Sequence, residues 1–300
     1  MLTEKTGIKR IQKLYLQMLF HCNFNCLHCF QGEKLKRGDR FSVDEIKRVI
    51  TMFATQYGLR SVTLLGGEPF IHPGLESVLS FCKDSRLETE VCTNGYRIQP
   101  ILRRVAPLLD HLRVSIDGLE QTHDAIRRKG SFAAALQTLR TAKSLGVFSS
   151  VTTTVTSINV GEIYQLAATV KAAGVSVMKL HQLRLVGNAN QHPDLLCDDV
   201  LLQTLSSQVQ RIHDELQMTI LLDDDLDSGD CIISPDQQVE TFELERIEVQ
   251  PDGAMYVSCK AVGSDSNAFW YDKPSGKIVY QPTAHDEISR GAPQVQYVKV

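Results

Sequence analysis

Along the first two thirds of the chain, short runs dominated by Val, Leu, Ile and Thr alternate with longer stretches whose apolar residues recur every three or four positions. The runs at 13–20, 61–65, 88–93, 112–117, 149–155 and 175–183 have strand composition, and most are closed at once by Gly, Asn or Asp. Between them the helical period is clearest in "FSVDEIKRVITMFATQYG". There Ser42 can cap the helix and Glu45 complete a capping box; Ile46, Val49, Ile50 and Phe53 share a face, and Gly58 stops it. Further helices are predicted near 74–83, 98–109, 131–145 and 160–173.

Strand and helix alternating six times predicts parallel β/α units with right-handed crossovers. Six units fall short of a closed eight-unit barrel. The expected fold is therefore α/β, a partial (β/α)6 TIM-like barrel. A break follows at "RLVGNANQHPDLLCDD", dense in Gly, Asn, Pro and Asp, then an amphipathic helix over 198–217. Beyond it, "RIEVQPDGAMYVSC" (246–259) places Pro-Asp-Gly between two alternating runs, a hairpin signature. The division expected is a core domain over 1–190, a linker and helix over 191–217, and a small α+β C-terminal domain over 218–300.

Composition narrows the class of function. With 300 residues the chain needs no staples to bury a core. A net charge of −3 with no basic field gives no indication of a nucleic-acid partner. No apolar run approaches the ~18 residues of a membrane span. "LYLQMLF" is short and lacks a cleavage site, so it is not read as a signal peptide. Eight cysteines without an export signal point to reduced thiols and a cytoplasmic setting.

Cys22, Cys26 and Cys29 lie together just after the first predicted strand, in "CNFNCLHC". In parallel α/β folds ligands gather at the carboxyl ends of strands, so the position suits a site. Structural zinc sites use four ligands, and their cysteines commonly pair as C-x2-C. Here the spacing is C-x3-C-x2-C, and the other cysteines form no complementary pair. Three thiolates can hold three irons of a [4Fe–4S] cluster and leave the fourth open to a ligand. The competing reading is a zinc knuckle that recruits His21 or His28.

"CNFNCLHC" resembles the C-x3-C-x-aromatic-C signature of radical S-adenosylmethionine (SAM) enzymes, with His28 in the aromatic place. The likeness continues in order through "LLGGEPFIHP", "VCTNG", "VSIDGLEQTHDAIRRKGSF" and "LRLVGNA", over roughly residues 13–190. It implies one [4Fe–4S] cluster on Cys22, Cys26 and Cys29, with SAM chelating the open iron. By the same resemblance, Gly66, Gly67, Glu68 and Pro69 meet the SAM amino group, and Asn94, Ser115 and Asp117 the ribose. Arg127 would face the carboxylate, and Val186 and Gly187 offer backbone to adenine. Each motif also has a plain alternative: Asn94-Gly95 and Asp117-Gly118 are turn formers, and Arg127 heads a helix-end "RRKG".

The chemistry implied is reductive cleavage of SAM to a 5′-deoxyadenosyl radical that removes hydrogen from a substrate carbon. An electron donor such as a flavodoxin or ferredoxin would be needed. "ERIEVQPDGAMYVSCKAVGS" looks like the start of a SPASM or twitch domain, found in peptide- and some sugar-modifying members. Such domains carry cysteines for auxiliary clusters, whereas this chain offers Cys231 and Cys259, with Cys197 just before the helix. A degenerate domain without a full cluster is expected. Cys231 and Cys259 are then either packed as small hydrophobes or hydrogen donors to a substrate radical. The substrate read from the resemblance is a ribosomal peptide, to be cross-linked, epimerised or oxidised. Alternatives are a sugar, nucleoside or aminoglycoside, or a metal-stabilised binding protein without turnover. "LLDDDLDSGD" (221–230) could attract a basic substrate or be a solvated loop, and the lone Trp270 in "FWYDKPSG" reads as a core anchor.

Overall fold

The computed structural model describes residues 8–222, 242–256, 269–280 and 297–298. In chain order the first strands are β1 (Ile8–Gln17), β2 (Ser61–Leu65), β3 (Glu88–Thr93), β4 (His111–Ser115), β5 (Phe148–Val155) and β6 (Val177–Gln182). They are followed by β7 (Thr219–Leu222), β8 (Phe242–Val249), β9 (Ala254–Tyr256), β10 (Phe269–Asp272), β11 (Lys277–Tyr280) and β12 (Tyr297–Val298). The helices are α1 (Val43–Tyr57), α2 (Leu75–Asp84), α3 (Gln99–Val105), α4 (Glu120–Ile126), α5 (Ser131–Ser144), α6 (Ile163–Ala172) and α7 (Asp199–Arg211). The class is the α/β one expected, a partial (β/α)6 barrel with a C-terminal extension. None of the helices among the described residues is long and apolar enough to cross a membrane.

The chain separates into two compact units: Met1–His21, Lys36–Thr89 and Asp230–Val300 form one, Cys22–Leu35 and Glu90–Gly229 the other. In the first, β1 pairs parallel with β2 on one side and with β8 on the other. Beyond β8 the order β9, β10, β11 is antiparallel throughout, and β12 pairs antiparallel with β8. The expected hairpin is present as β8 and β9. Its Gly253 sits at φ 95, and Gly253 N–H donates to the Gln250 carbonyl at 2.9 Å. Pairing of β8 with β1 cuts across the sequence-order division at residue 218. A ten-residue β1 presents two rows of backbone donors and acceptors, and β8 satisfies the row that β2 leaves open.

Local signals explain the elements. Ser42 Oγ accepts from Glu45 N at 3.2 Å and Glu45 Oε2 from Ser42 N at 2.6 Å, the predicted capping box, and Gly58 ends α1 in the left-handed region at φ 67. The predicted 198–217 helix is α7, capped by Asp198 on Leu201 N at 2.9 Å. It then loosens into a π-helical turn over Ile212–Leu216 and stops at Gln217 with φ 49. Trp270 packs against Ala254 and Tyr256, as an anchor should.

In the second unit β3, β4, β5, β6 and β7 pair parallel in that order. Alternation sorts β4: Leu112 and Val114 are buried, while His111, Arg113 and Ser115 share the other face. Register carries that face across the sheet, with Arg113 opposite both Cys92 and Ser150, Ser115 opposite Thr152, and Thr152 opposite Lys179. One side of these strands is thus apolar under the helices and the other is polar. Ser115 lies on the polar side, and Asp117 follows it two residues on.

Candidate functional site

The loop Cys22–Cys29 has no regular structure, so its shape depends on side chains that reach it. Three do. Asn94 Nδ2 donates to Asn23 Oδ1 at 2.8 Å. Arg128 Nη1 donates to the Asn23 carbonyl at 2.9 Å, and its guanidinium lies over the rings of Phe24 (5.7 Å) and Tyr96 (4.7 Å), which meet edge to face. Asn188 Nδ2 donates to Asn25 Oδ1 and to the Cys26 carbonyl, both at 2.9 Å. Gly187 has φ +62, and a Cβ there would fall 2.4 Å from the Cys29 carbonyl oxygen. Only glycine fits, and it lets Asn188 N–H reach that same carbonyl at 2.9 Å.

Four residues after β4 the chain opens α4, and between them lies Asp117, whose side chain is 0% exposed. Its Oδ1 accepts from Thr154 N at 2.8 Å. Its Oδ2 takes His28 Nε2 at 2.6 Å and Arg127 Nε at 2.5 Å. A carboxylate only accepts, so Nε2 of His28 carries the proton in this bond. The backbone of Asp117 is held as well: its N–H donates to His123 Nδ1 at 3.0 Å and its carbonyl accepts from Asn159 Nδ2 at 3.3 Å.

Charge follows from these contacts. Burial opposes ionisation of Asp117, but Arg127 first and His28 after it hold the carboxyl well below the usual range. Burial likewise works against the Arg127 charge, while Asp117 and the Cys26 thiol hold it up. Burial pushes the Cys26 thiol up to about 12, with Arg127 pulling the other way. Cys29 is also raised by burial, partly offset by the backbone N–H groups of Gln31 and Gly32. His123 is pushed down to about 4 by burial and then by Arg127.

The remaining candidates divide. Ser115 ends β4 half-buried, and its hydroxyl makes no hydrogen bond among the described residues. Asn94 is committed to the cysteine loop and to Tyr96 N–H, which its Oδ1 accepts at 2.9 Å. Val186 donates to the Arg184 carbonyl at 2.8 Å, and with Gly187 it braces the loop. In the other unit, a Cβ on Gly67 would fall 2.0 Å from the His21 carbonyl oxygen, and one on Gly66 would fall 2.8 Å from Leu19. Both glycines are needed for chain packing. Glu68 is 1% exposed and its Oε1 accepts from Phe70 N at 3.1 Å, capping the turn that starts at Pro69. Cys231, Cys259 and the acidic run from residue 223 lie outside the described residues.

Several residues that shape this site were given no role from the sequence: Asn188, Arg128 and His123, which stand inside the quoted motifs, and Thr154 and Asn159, which stand outside them. Each acts from 32 or more positions away or through a backbone group, except His123, which sits six residues from Asp117.

The donor chemistry fits an iron–sulfur cluster. Three thiols come from one loop, that loop is braced by amide and guanidinium donors, and the Arg127 guanidinium beside the thiols favours thiolate over thiol. No three metal-ligating side chains among the described residues already close on one point, so the fit is of donor set and loop.

Comparison with known proteins agrees. The family model described as "Radical SAM superfamily" matches residues 16–170. The "Fe-coproporphyrin III synthase" of Methanosarcina barkeri is 22% identical over 88% of this chain and 70% of its own. The "Mycofactocin maturase MftC" of Mycobacterium ulcerans is 27% identical over 57% of this chain and 47% of its own, so the chain spans about half of that relative. Among solved structures, Streptococcus suis SuiB bound to its precursor peptide SuiA superposes with a TM-score of 0.69 at 14% identity, covering 88% of this chain and 63% of SuiB.

Proposed function

The chain belongs to the radical SAM superfamily, and from that premise we propose that it cleaves S-adenosylmethionine reductively and abstracts hydrogen from a carbon of a ribosomal peptide. Cross-linking, epimerisation or oxidation of that peptide would follow. The observation that carries this reading is the braced three-thiol loop beside Arg127.

Cys22, Cys26 and Cys29 would hold a [4Fe–4S] cluster, which when reduced supplies the electron that breaks the sulfonium of SAM. The chain's own part is to bind, orient and shield. Asn94, Arg128 and Asn188 fix the loop. Arg127 offers terminal N–H groups that take no hydrogen bond among the described residues, matched to a carboxylate. Ser115 offers a hydroxyl to ribose. Gly66, Gly67, Glu68 and Pro69 stay in the proposal as the SAM amino-group turn, and Val186 and Gly187 as the adenine strip. His28 remains a neighbour of SAM.

Peptide modification is supported by the mycofactocin maturase among the relatives and by the fold shared with SuiB, which binds a precursor peptide. A small-molecule substrate is the second reading, supported by the synthase that matches 88% of this chain. The core, helix and SPASM-like division at 190 and 218, a flavodoxin or ferredoxin donor, a cytoplasmic setting, and hydrogen donation by Cys231 or Cys259 complete the proposal. Alanine at either cysteine with undiminished epimerised product would remove that donor role.

The test is iron and sulfide content after anaerobic reconstitution, with 5′-deoxyadenosine formation under dithionite. About four irons per chain, falling to none when all three loop cysteines become alanine, is the expected result. Iron left in the triple variant would instead place a second cluster in the C-terminal segment.

A further inference from the structure

The carboxylate of Asp117 has about one of its four acceptor sites left, on Oδ1, and full burial closes that site to solvent. Its two oxygens already accept three hydrogen bonds, two of them from cationic or imidazole donors, and the side chain is wholly buried. Both its backbone groups are engaged too, by His123 and Asn159. What the carboxylate joins is informative. His28 belongs to the cysteine loop, between Cys26 and Cys29, and Arg127 closes α4. Leu27 N–H meets the Ile126 carbonyl at 3.0 Å, so the two segments also touch one residue away from each partner.

We infer that Asp117 is a positioning residue: it clamps His28 to Arg127, fixing the cysteine loop against the guanidinium, and does not contact ribose. The inference rests on the proposed SAM chemistry for its functional consequence, and on the geometry alone for the clamp.

Three features make the clamp specific. First, the residue in the loop's aromatic place is a histidine, which can donate to a carboxylate; phenylalanine there could not. Second, Arg127 spends only Nε on Asp117, so the carboxylate orients the fork without consuming its terminal N–H groups. Third, the Asp117 backbone is fixed by a neutral imidazole. Because Asp117 N–H donates to Nδ1 of His123, the proton of that ring sits on Nε2, which finds no acceptor among the described residues. An unpaired buried N–H is tolerated where the geometry it maintains is over-determined by its neighbours.

The experiment is a double-variant cycle of Asp117→Asn and His28→Phe in the reconstituted enzyme, read by the Kd of SAM and of its 2′- and 3′-deoxyribose analogues. The reduced-cluster electron paramagnetic resonance signal is recorded with and without SAM. Each single variant is expected to weaken SAM binding at least tenfold and to alter the SAM-induced signal. The double variant should fall within about twofold of Asp117→Asn, since both changes open one clamp. The ratio of Kd for SAM to that for each deoxy analogue should match wild type. Loss of that discrimination in Asp117→Asn would place the carboxylate on ribose and overturn the inference, as would additive effects.

Should wild type take up no iron, the proposed function fails, yet the clamp is still read by urea denaturation of the four chains. Shifts in midpoint that add would sink it; non-additive shifts would support it. If Asp117→Asn does not fold, His28→Phe decides: SAM affinity and signal unchanged within twofold overturn the inference, and a tenfold loss with the analogue ratio intact supports it.

Discussion

Two carboxylates follow strands in this chain, and each was expected at the SAM site from the same kind of motif. Glu68 comes after β2 in one unit and Asp117 after β4 in the other. Both are almost wholly buried, at 1% and 0% exposure. Their surroundings differ in kind. Glu68 accepts from the Phe70 backbone N–H and caps a short turn, whose approach is made possible by Gly66 and Gly67 packed on the Leu19–His21 segment. Asp117 is gripped by a guanidinium, an imidazole and a backbone N–H. An acid in a motif therefore says little about its task until its partners are known. One does backbone work, the other ionic work, and substitutions separate the two.

The largest effect is expected at the ionic site. Asp117→Ala leaves Arg127 buried without its counter-ion, a change of the kind that costs about 3–5 kcal/mol. Anaerobic urea denaturation measures it through the midpoint at constant slope. A loss below about 1 kcal/mol would mean that Arg127 finds water or another partner, and the contrast between the two acids would weaken.

The backbone site should fail through space, not charge. A Cβ on Gly67 would meet the His21 carbonyl oxygen at 2.0 Å, so Gly67→Ala forces the chain apart. Overpacking of this sort costs about 1–3 kcal/mol, more where backbone must move. Gly130, with open space around its Cβ position but φ +77, serves as the control that suffers only conformational strain. Equal losses at the two glycines would show that the close approach is relieved cheaply.

Acidification tests the ionic site without a mutation at Asp117. His123 is held neutral, its folded value about 4 against 6.5 for the free side chain. The unfolded chain therefore binds the extra proton between these limits, and stability falls as pH drops from 6.5 towards 4. The total is about 3 kcal/mol at most, with a slope of up to about 1.4 kcal/mol per pH unit. Facing the ring are Arg127 and His28, which lower its value, and Asp117 and Asp124, which raise it. Asp117 itself is lowered, so its contribution is lost at still lower pH, below the ordinary Asp value of 3.8. In His123→Gln the loss below 6.5 should shrink to the part left by His72, whose value burial also lowers, while the loss at lower pH remains. A slope that persists unchanged would move the titration to another group.

These contrasts also show what a single sequence can carry. β2 and β3 lie where composition put them, and α1 starts and stops at its capping box and Gly58, because each of those signals acts within a few residues. The three-thiol loop was legible for the same reason. The partnership of β8 with β1 was not, since it joins segments more than two hundred residues apart and leaves no local period. Nor was β7, a four-residue strand whose positions are all partly or fully exposed, or α4, seven residues long. Asp117 illustrates the limit most clearly. Its Asp-Gly pair marked the break after β4, but Thr154, Asn159 and His28 reach it from 37, 42 and 89 positions away.

The smallest effect is expected at Glu68, and it completes the comparison. Glu68→Gln removes the charge and keeps an oxygen that can accept from Phe70 N–H. If the residue's main task is to cap the turn, the change costs no more than about 1 kcal/mol, the scale of one neutral hydrogen bond in a cap. Glu68→Ala, which removes the acceptor, should cost more than the amide does. SAM affinity measured on the same variants then divides cap from ligand. Binding that survives in Glu68→Gln and falls in Glu68→Ala would mean the turn's shape matters to SAM and the charge does not. Binding lost equally in both would show that the carboxylate itself meets the SAM amino group.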